Sequence, residues 1–285
     1  MYFIYRPICP YILLDCHTET CRRDNRWKER IVSISAHKII EVDCPVGKVD
    51  RSSVLSYLGK HQELQEDAQL DAAADRMIDE CARTLHPRGT YKLFNPAICT
   101  LPPAYTEPGI KLVGTLVVLK GQRVYNRMSK AAHCVMMAAS AGDPDEIEEL
   151  RQRTVATPQD EELFEACLQA TAQKAADMTN AAIVQQAMEL GLYTDDFLSP
   201  GTDDFPLEQN DQIHFYTQAE SRLGMALDDA SKPPLPGNVL GIVGMYDKSQ
   251  KGRRRACGKC KFRDFCSIRA IGMNCHGRKG KFKTE

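Results

Sequence analysis

The spacing of apolar positions along the chain predicts long amphipathic helices. Residues 63–86 carry apolar side chains at helical spacing, which predicts one helix that ends before Pro87. Residues 158–190 give the clearest pattern, an Ala-rich helix that ends at Gly191. Shorter helices are predicted up to Leu58, from about Val124, from Asp143 and over residues 207–216.

Runs of β-branched and apolar residues predict the strands between these helices. One or two strands are expected within residues 31–46, and the apolar run 133–141 predicts a buried strand. Further strands are predicted over residues 90–94, 111–119 and 239–245, with strand-like alternation at the start of 217–245. This mixture predicts an α+β fold, with a mixed or antiparallel sheet and long flanking helices.

Four cysteines close the chain in the pattern Cys257-x2-Cys260-x5-Cys266-x8-Cys275. The surrounding residues, 253–285, offer few apolar side chains, so a metal or cluster would have to stabilise the segment. Thiolates at this density are a typical ligand set for zinc or for an iron–sulfur cluster. The opposing interpretation is four free cysteines in a flexible tail.

The spacing of these cysteines favours a [4Fe–4S] cluster over zinc. Zinc ribbons usually show two CxxC pairs, whereas only Cys257 and Cys260 form one here. Neighbouring cationic residues would lower the thiolate pKa values and offset an anionic cluster. Zinc stays the alternative, and His276 is an alternative ligand.

Charge divides the chain into an acidic body and a basic tail. Of the 37 Lys and Arg residues, 13 lie from Lys248 onward, together with only 2 of the 38 Asp and Glu residues. The tail therefore carries a net charge of +11 and the remainder −12. Such an asymmetry indicates a contact with nucleic acid or with an acidic protein surface.

Composition describes an ordinary globular protein in a reducing compartment. The 12 cysteines have irregular spacing in a chain of 285 residues, which is not typical of a secreted disulfide framework. The apolar N-terminus is interrupted by charged and proline residues and is too short to span a bilayer. We therefore expect a cytoplasmic protein with no membrane contact, with residues 1–30 as an irregular extension.

A polar loop before the helix predicted over 207–216 carries candidate binding residues. Gly201 lets backbone approach a ligand closely. Asp203, Asp204 and Glu208 place three carboxylates near a helix start. The pattern suits a ligand-binding loop and a well-capped turn equally.

The same loop resembles part of a known family, the activation domain of cobalamin-dependent methionine synthase. The likeness lies in Ser199-Pro200-Gly201 and Pro206-Leu207-Glu208, and free-standing versions of the domain in anaerobic bacteria sometimes end in a similar cysteine cluster. Further points of similarity follow in the expected order: Leu55-Ser56-Tyr57-Leu58-Gly59, residues 114–119, residues 135–142, the Ala-rich helix and Leu240-Gly241-Ile242-Val243-Gly244. The resemblance covers roughly residues 33–275.

The resemblance implies a role in reactivating a corrinoid. Domains of this family bind S-adenosylmethionine and dock on the corrinoid domain, where inactive Co(II) is reduced and methylated. Carried over by position, Ser199 and Gly201 fall where the family's loop approaches the cofactor. Asp203, Asp204 and Glu208 complete the candidate cofactor-binding set.

Two positions depart from the family's loop. Phe197 stands where the family has an arginine, and Thr202 stands where it has a tyrosine. Loss of the arginine removes a charge-assisted contact to a carboxylate, worth about 1.5–3 kcal/mol. The implied function is therefore corrinoid activation with or without S-adenosylmethionine binding.

Two functional hypotheses follow. The first is an iron–sulfur redox protein that serves reductive activation, as an activase that passes an electron from a donor to a corrinoid protein or cobalamin-dependent methyltransferase. Its domains would be the extension 1–30, an activation-like domain over 31–246 and the cysteine segment 247–285. The alternative is a zinc-stapled binding module whose basic tail contacts nucleic acid or an acidic partner. No catalytic residue is assigned, since neighbours such as His133 and Cys134 point to opposite faces of a strand.

Overall fold

The computed structural model describes residues 38–58, 68–99 and 108–248. Within them the predicted α+β class is confirmed, with helices packed around a curled antiparallel sheet. The elements are β1 (Ile40–Asp43), α1 (Arg51–Leu58), α2 (Ala68–Thr84), β2 (Arg88–Phe94), β3 (Pro96–Ile98), β4 (Gly109–Leu112), β5 (Val118–Lys120), α3 (Gln122–Met128), β6 (His133–Ser140), α4 (Pro144–Thr154), α5 (Pro158–Glu189), β7 (Tyr193–Thr194), α6 (Gln209–Thr217), α7 (Ala219–Leu223) and β8 (Asn238–Tyr246).

The main sheet has five strands in the order β1-β2-β6-β8-β7, and every neighbouring pair is antiparallel. Its centre is the pair β6–β8, in register from His133 opposite Met245 to Ser140 opposite Asn238. Nearly every residue of these two strands is buried. A strand covered on both faces reads as a continuous apolar run, which is why both were evident from sequence.

A second sheet of three strands, β3-β4-β5, corrects one prediction. Residues 111–119 are not one strand, because β4 and β5 form a hairpin around the turn at residues 113–117. Gly114 supplies the positive φ of +83° that this turn requires. Strand β3 begins at Pro96 and was not predicted, because its three residues are too few for a periodic signal.

The helix α5 covers one face of the main sheet. Its 32 residues begin at a capping box, in which Thr157 and Asp160 exchange side-chain and backbone hydrogen bonds. At 1.5 Å per residue the helix is about 48 Å long. It packs against β2, β6 and β8, and its small residues allow close approach.

A close contact between α5 and the sheet lies at Gly89 of β2. A Cβ at this position would come within 1.9 Å of the side-chain oxygen of Thr179, so only glycine fits. Thr179 is fully buried and donates its own hydrogen bond to the carbonyl of Ala175 at 2.8 Å. The helix and β2 are therefore matched in shape at one defined point.

The other face of the sheet is covered by α3, α6, α7, the small sheet and the loop that precedes α6. They enclose a core with Cys134, Met136 and Ala138 from β6. The loop contributes Leu198 and Phe205 to this core. The candidate binding loop is thus part of the packed interior on one side and exposed on the other.

One further prediction needs correction, and one short strand was not predicted. The start of 217–245 is the short helix α7, because Gln218 and Gly224 both adopt left-handed conformations that bound one helical turn. The alternation that predicted a strand comes from Ala219 and Leu223, which face the core one turn apart. Strand β7 was not predicted, since its two residues are too few for a pattern.

Several predictions lie outside the described residues. They are the extension 1–30, the first part of the strands expected in 31–46, and the four cysteines Cys257, Cys260, Cys266 and Cys275. The five cysteines in the described ranges are free thiols. No helix in those ranges is both long enough and apolar enough to cross a bilayer.

The contact at Gly89 generates a testable prediction. We expect Gly89→Ala to lower the free energy of unfolding by about 1–3 kcal/mol, because its methyl group overlaps the Thr179 side chain. Adding Thr179→Ala in the same chain should recover part of the loss by removing the atoms that clash. Urea unfolding of the two single variants and the double variant measures the coupling. Additive losses of unfolding free energy would show that the side chains at positions 89 and 179 do not clash.

Candidate functional site

The loop between β7 and α6 is anchored along β8. The N–H and C=O groups of Leu198 bond with those of Ile242, both at 2.9 Å, so the loop adds one antiparallel bridge to the sheet. Phe197 lies over Gly241, where a Cβ would come within 2.3 Å of its ring. The Phe197 ring therefore occupies the space that Gly241 leaves open beside β8.

Beyond this anchor, the loop folds into a compact turn. The N–H of Thr202 donates to the carbonyl of Ser199 (3.2 Å), and the N–H of Gly201 donates to the carbonyl of Phe205 (2.8 Å). Gly201 has a φ of +80°, and a Cβ there would meet the Leu207 side chain at 2.8 Å. Glycine is required here by the turn itself.

Two of the three predicted carboxylates bind the neighbouring helix α3. Asp204 accepts hydrogen bonds from the N–H groups of Gln122 (2.5 Å) and Arg123 (3.2 Å). It is therefore the N-terminal cap of α3, supplied from a distant part of the chain. Asp203, which has a φ of +54°, forms an ion pair with the Arg123 guanidinium.

The other two polar candidates remain available on the loop surface. Glu208 is exposed at the start of α6, and its side chain makes no capping hydrogen bond. Ser199 is half-buried, and within the described ranges no hydrogen bond involves its hydroxyl. The structure thus separates the predicted set into residues that hold the loop and residues that face outward.

A buried ion pair holds the first residues of the loop, and sequence reasoning did not find it. The Nε of Arg127 lies 2.8 Å from a carboxylate oxygen of Asp195, with side chains only 8% and 9% exposed. The Arg127 guanidinium also donates to the carbonyl of Asp196, and the N–H of Asp195 donates to the carbonyl of Gly244. Isolated charged residues in a sequence carry no signal that they will meet in the interior.

Tyr246 and Cys134 lie next to this ion pair. The Tyr246 hydroxyl donates to the carbonyl of Arg127 at 3.3 Å, and its ring occupies the space above Gly244. Burial, with the Asp195 carboxylate adding to it, raises the pKa of Tyr246 to about 12. Burial also raises the pKa of the Cys134 thiol to about 12, so this cysteine is not a thiolate at neutral pH.

His133 does not act with Cys134. Its ring lies 2.9 Å from the side-chain oxygen of Asn95, and partial burial lowers its pKa. Cys134 points into the core on the opposite face of the strand. The arrangement supports no Cys–His nucleophile pair, in agreement with the sequence argument.

The outward part of the loop is a surface feature. Two open clefts, of about 610 and 430 Å³, lie elsewhere on the molecule. The larger is lined by residues of β1 and α7, and the smaller by residues from the end of α1 and the start of α5. A ligand at the loop would therefore rest on Ser199 and Glu208 from one side, not within either cleft.

Comparison with known proteins identifies the architecture. Neither a protein-family model nor a curated protein matches this sequence. Among solved structures, the MetH reactivation domain bound to AdoHcy matches with a TM-score of 0.53, covering 75% of this chain and 80% of that one. The chain shares the fold of the MetH reactivation domain. At 17% sequence identity, the likeness to that domain shows the fold alone.

The match to the MetH reactivation domain confirms the predicted fold class. The described ranges contain no group of three or more His, Cys, Asp or Glu side chains placed to hold a metal ion. The terminal cysteines therefore remain the metal ligands predicted for this chain.

The buried ion pair leads to a prediction about stability. We expect Arg127→Met or Asp195→Leu alone to lower the free energy of unfolding by about 3–5 kcal/mol, because each leaves one buried charge unpaired. The double variant should lose much less unfolding free energy than the two single variants together, since neither charge remains. Chemical denaturation of all four proteins completes the cycle. If each single variant lost less than about 1 kcal/mol of unfolding free energy, the Arg127–Asp195 pair would have to be exposed to water.

Proposed function

We propose that this protein serves the reductive activation of a corrinoid protein, such as a cobalamin-dependent methyltransferase. The observation that carries the proposal is the fold shared with the MetH reactivation domain over three quarters of the chain. A fold alone does not define a function, so the terminal cysteines and the outward loop residues provide the second support. The electron donor would be a separate protein or small reductant.

Cys257, Cys260, Cys266 and Cys275 would hold a [4Fe–4S] cluster. When bound, such a cluster supplies one electron at a low potential. The donor set fits, because four thiolates complete the ligand shell of a cubane without help from the body. The surrounding lysines and arginines would balance the negative charge of the thiolates and the cluster.

The loop would bind a ligand of the AdoHcy class through Ser199 and Glu208. Its conformation is set before any ligand arrives, because Arg127–Asp195 holds one end and Asp204 ties the other to α3. A rigid loop loses little conformational freedom on binding. The Glu208 carboxylate suits the amino or sulfonium group of such a ligand, and the Ser199 hydroxyl suits a ribose or carboxylate oxygen.

One observation favours the second candidate, a zinc-stapled binding module. The net charge of +11 from Lys248 onward is large enough to bind nucleic acid or an acidic partner without any redox role. Zinc would stabilise the segment through the same four thiolates. Metal content separates the two functions directly.

We expect protein purified without oxygen to contain about four iron and four sulfide per chain, and to give an EPR signal after reduction with dithionite. Cys257→Ser together with Cys260→Ser should remove both, because two of four ligands are lost. Cys44→Ser is the matched control, since this buried thiol bonds only within the body. One zinc with no sulfide would instead establish the binding module.

Reduction of the corrinoid is tested with the loaded protein. Dithionite-reduced protein should convert a Co(II) corrinoid protein to Co(I) in the presence of S-adenosylmethionine, which traps the product by methylation. The Cys257→Ser/Cys260→Ser protein should lose this activity and keep its fold. Equal activity of the two proteins would remove the cluster from the proposal.

AdoHcy binding tests the loop separately. We expect calorimetry to detect binding of AdoHcy, weakened about threefold to tenfold by Ser199→Ala and about tenfold or more by Glu208→Gln. Glu220→Gln, an equally exposed glutamate on α7, should have no effect. Absence of binding by the parent protein would restrict the function to electron transfer.

A further inference from the structure

We infer that the surface formed by Met188, Tyr193, Asp196 and Asp247, here named the β7 edge surface, is the docking site of residues 249–285. The segment that carries the four cysteines would then rest on the body beside the binding loop. The segment would lie there with either iron or zinc bound to the cysteines. Only the purpose of the docking rests on the proposed function.

The path of the chain brings the segment to this surface. Strand β8 ends at Tyr246, which pairs directly with Tyr193 of β7. Arg253 lies six positions after Asp247, and an extended chain spans at most about 3.5 Å per residue. The triple arginine that begins at Arg253 therefore stays within about 21 Å of Asp247. Tethering at this range gives a high effective concentration for any contact.

The β7 edge surface exposes apolar side chains on ordered backbone. Met188 is 65% exposed and Tyr193 is 51% exposed. The turn that joins them is fixed, because the N–H of Gly191 donates to the carbonyl of Met188 (3.0 Å) and the N–H of Leu192 donates to the carbonyl of Ala187 (2.8 Å). Thioether and aromatic side chains are each common contacts for further aromatic and apolar groups.

The segment itself offers the complementary apolar groups. Its sequence places a few apolar side chains among many charges: Phe262, Phe265, Ile268, Ile271 and Met273. They are too few to form a separate core without a metal at the four cysteines. Packing them against the body would remove both sets of apolar surface from water.

Charge around the β7 edge surface matches the segment. Asp196 and Asp247 are both exposed, and neither forms an ion pair with any residue in the described ranges. Arg127 and Asp195 form hydrogen bonds with the Asp196 main chain, so the Asp196 side chain extends from a fixed backbone position. These carboxylates belong to the part of the chain before Lys248, which has a net charge of −12, whereas residues 249–285 carry +10. Attraction of opposite charges at this distance is effective at low ionic strength.

Docking would bring the cysteines close to the loop. Asp195 and Asp196, the residues that follow β7, are held by Arg127 at the end of the loop nearest the β7 edge surface. A cluster at this edge would lie on the same side of β8 as the loop, which itself pairs with Ile242. An electron carrier and a ligand site would then face the same partner.

Zero-length cross-linking tests the contact in the full-length, metal-loaded protein. A carbodiimide joins a carboxylate to an amine only where the two are in contact, so we expect Asp196 to be linked to Lys259 or Lys261 within one chain. The linkage should fall as salt is raised. Asp211→Lys on α6 leaves the β7 edge surface unchanged and should not alter the yield, whereas Asp196→Lys should abolish it.

Trypsin provides an independent measure, because residues 249–285 contain 12 of the 37 Lys and Arg residues after which it cleaves. The double variant Met188→Ser/Tyr193→Ser should speed cleavage after Lys248 about tenfold, the change expected when buried apolar contacts are lost. Phe215→Ser, which alters a side chain 70% exposed on α6, should leave the rate unchanged. Both variants change exposed side chains, so melting temperatures should match the parent protein.

Three outcomes would overturn the inference. They are equal cleavage rates in all proteins, cross-links that appear only in a dimer band, or an Asp196 contact that forms only after a corrinoid protein is added. The same samples are analysed for iron, sulfide and zinc. Intact cross-links in a protein without iron would refute the proposed redox function and keep the docking site. A protein that contains iron but forms no cross-links would refute the docking site and keep the proposed redox function.

Discussion

The structure depends on strand β8, which is buried on both faces and paired along both edges. It pairs fully with β6 on one side, and on the other it pairs with β7 and bonds with Leu198 of the loop. Gly241 and Gly244 provide the space for the rings of Phe197 and Tyr246, which no residue with a Cβ would leave open. The loop, the buried ion pair and the start of the cysteine segment are all positioned by this one strand.

Sequence reasoning left a ligand-binding loop and a well-capped turn as alternatives, and the structure shows that the loop caps a neighbouring helix. Asp203 and Asp204 fix it against α3, whereas the Glu208 side chain makes no capping hydrogen bond. A carboxylate that caps a helix is committed to backbone donors and is costly to withdraw. A loop held in this way keeps its shape without a ligand.

Charge is distributed along the chain in a way that suits a protein of two cooperating parts. The residues before Lys248 carry −12, and those from Lys248 onward carry +11 together with the four cysteines. Opposite charges on tethered parts favour contact between them, and metal binding would stabilise a segment that has few apolar residues. The fold of the MetH reactivation domain provides the rigid half of this arrangement.

Sequence by itself determined the elements with strong periodicity and the residues with a distinctive chemistry. The helix Pro158–Glu189, the buried strands Asn238–Tyr246 and His133–Ser140, and the α+β class follow from spacing and burial, because such patterns repeat over many residues. The hairpin at Gly114, the short helix Ala219–Leu223 and the pair Arg127–Asp195 were decided only by tertiary structure. Each depends on one residue, one turn or one distant partner, and contacts between residues far apart in the chain leave no local pattern to read.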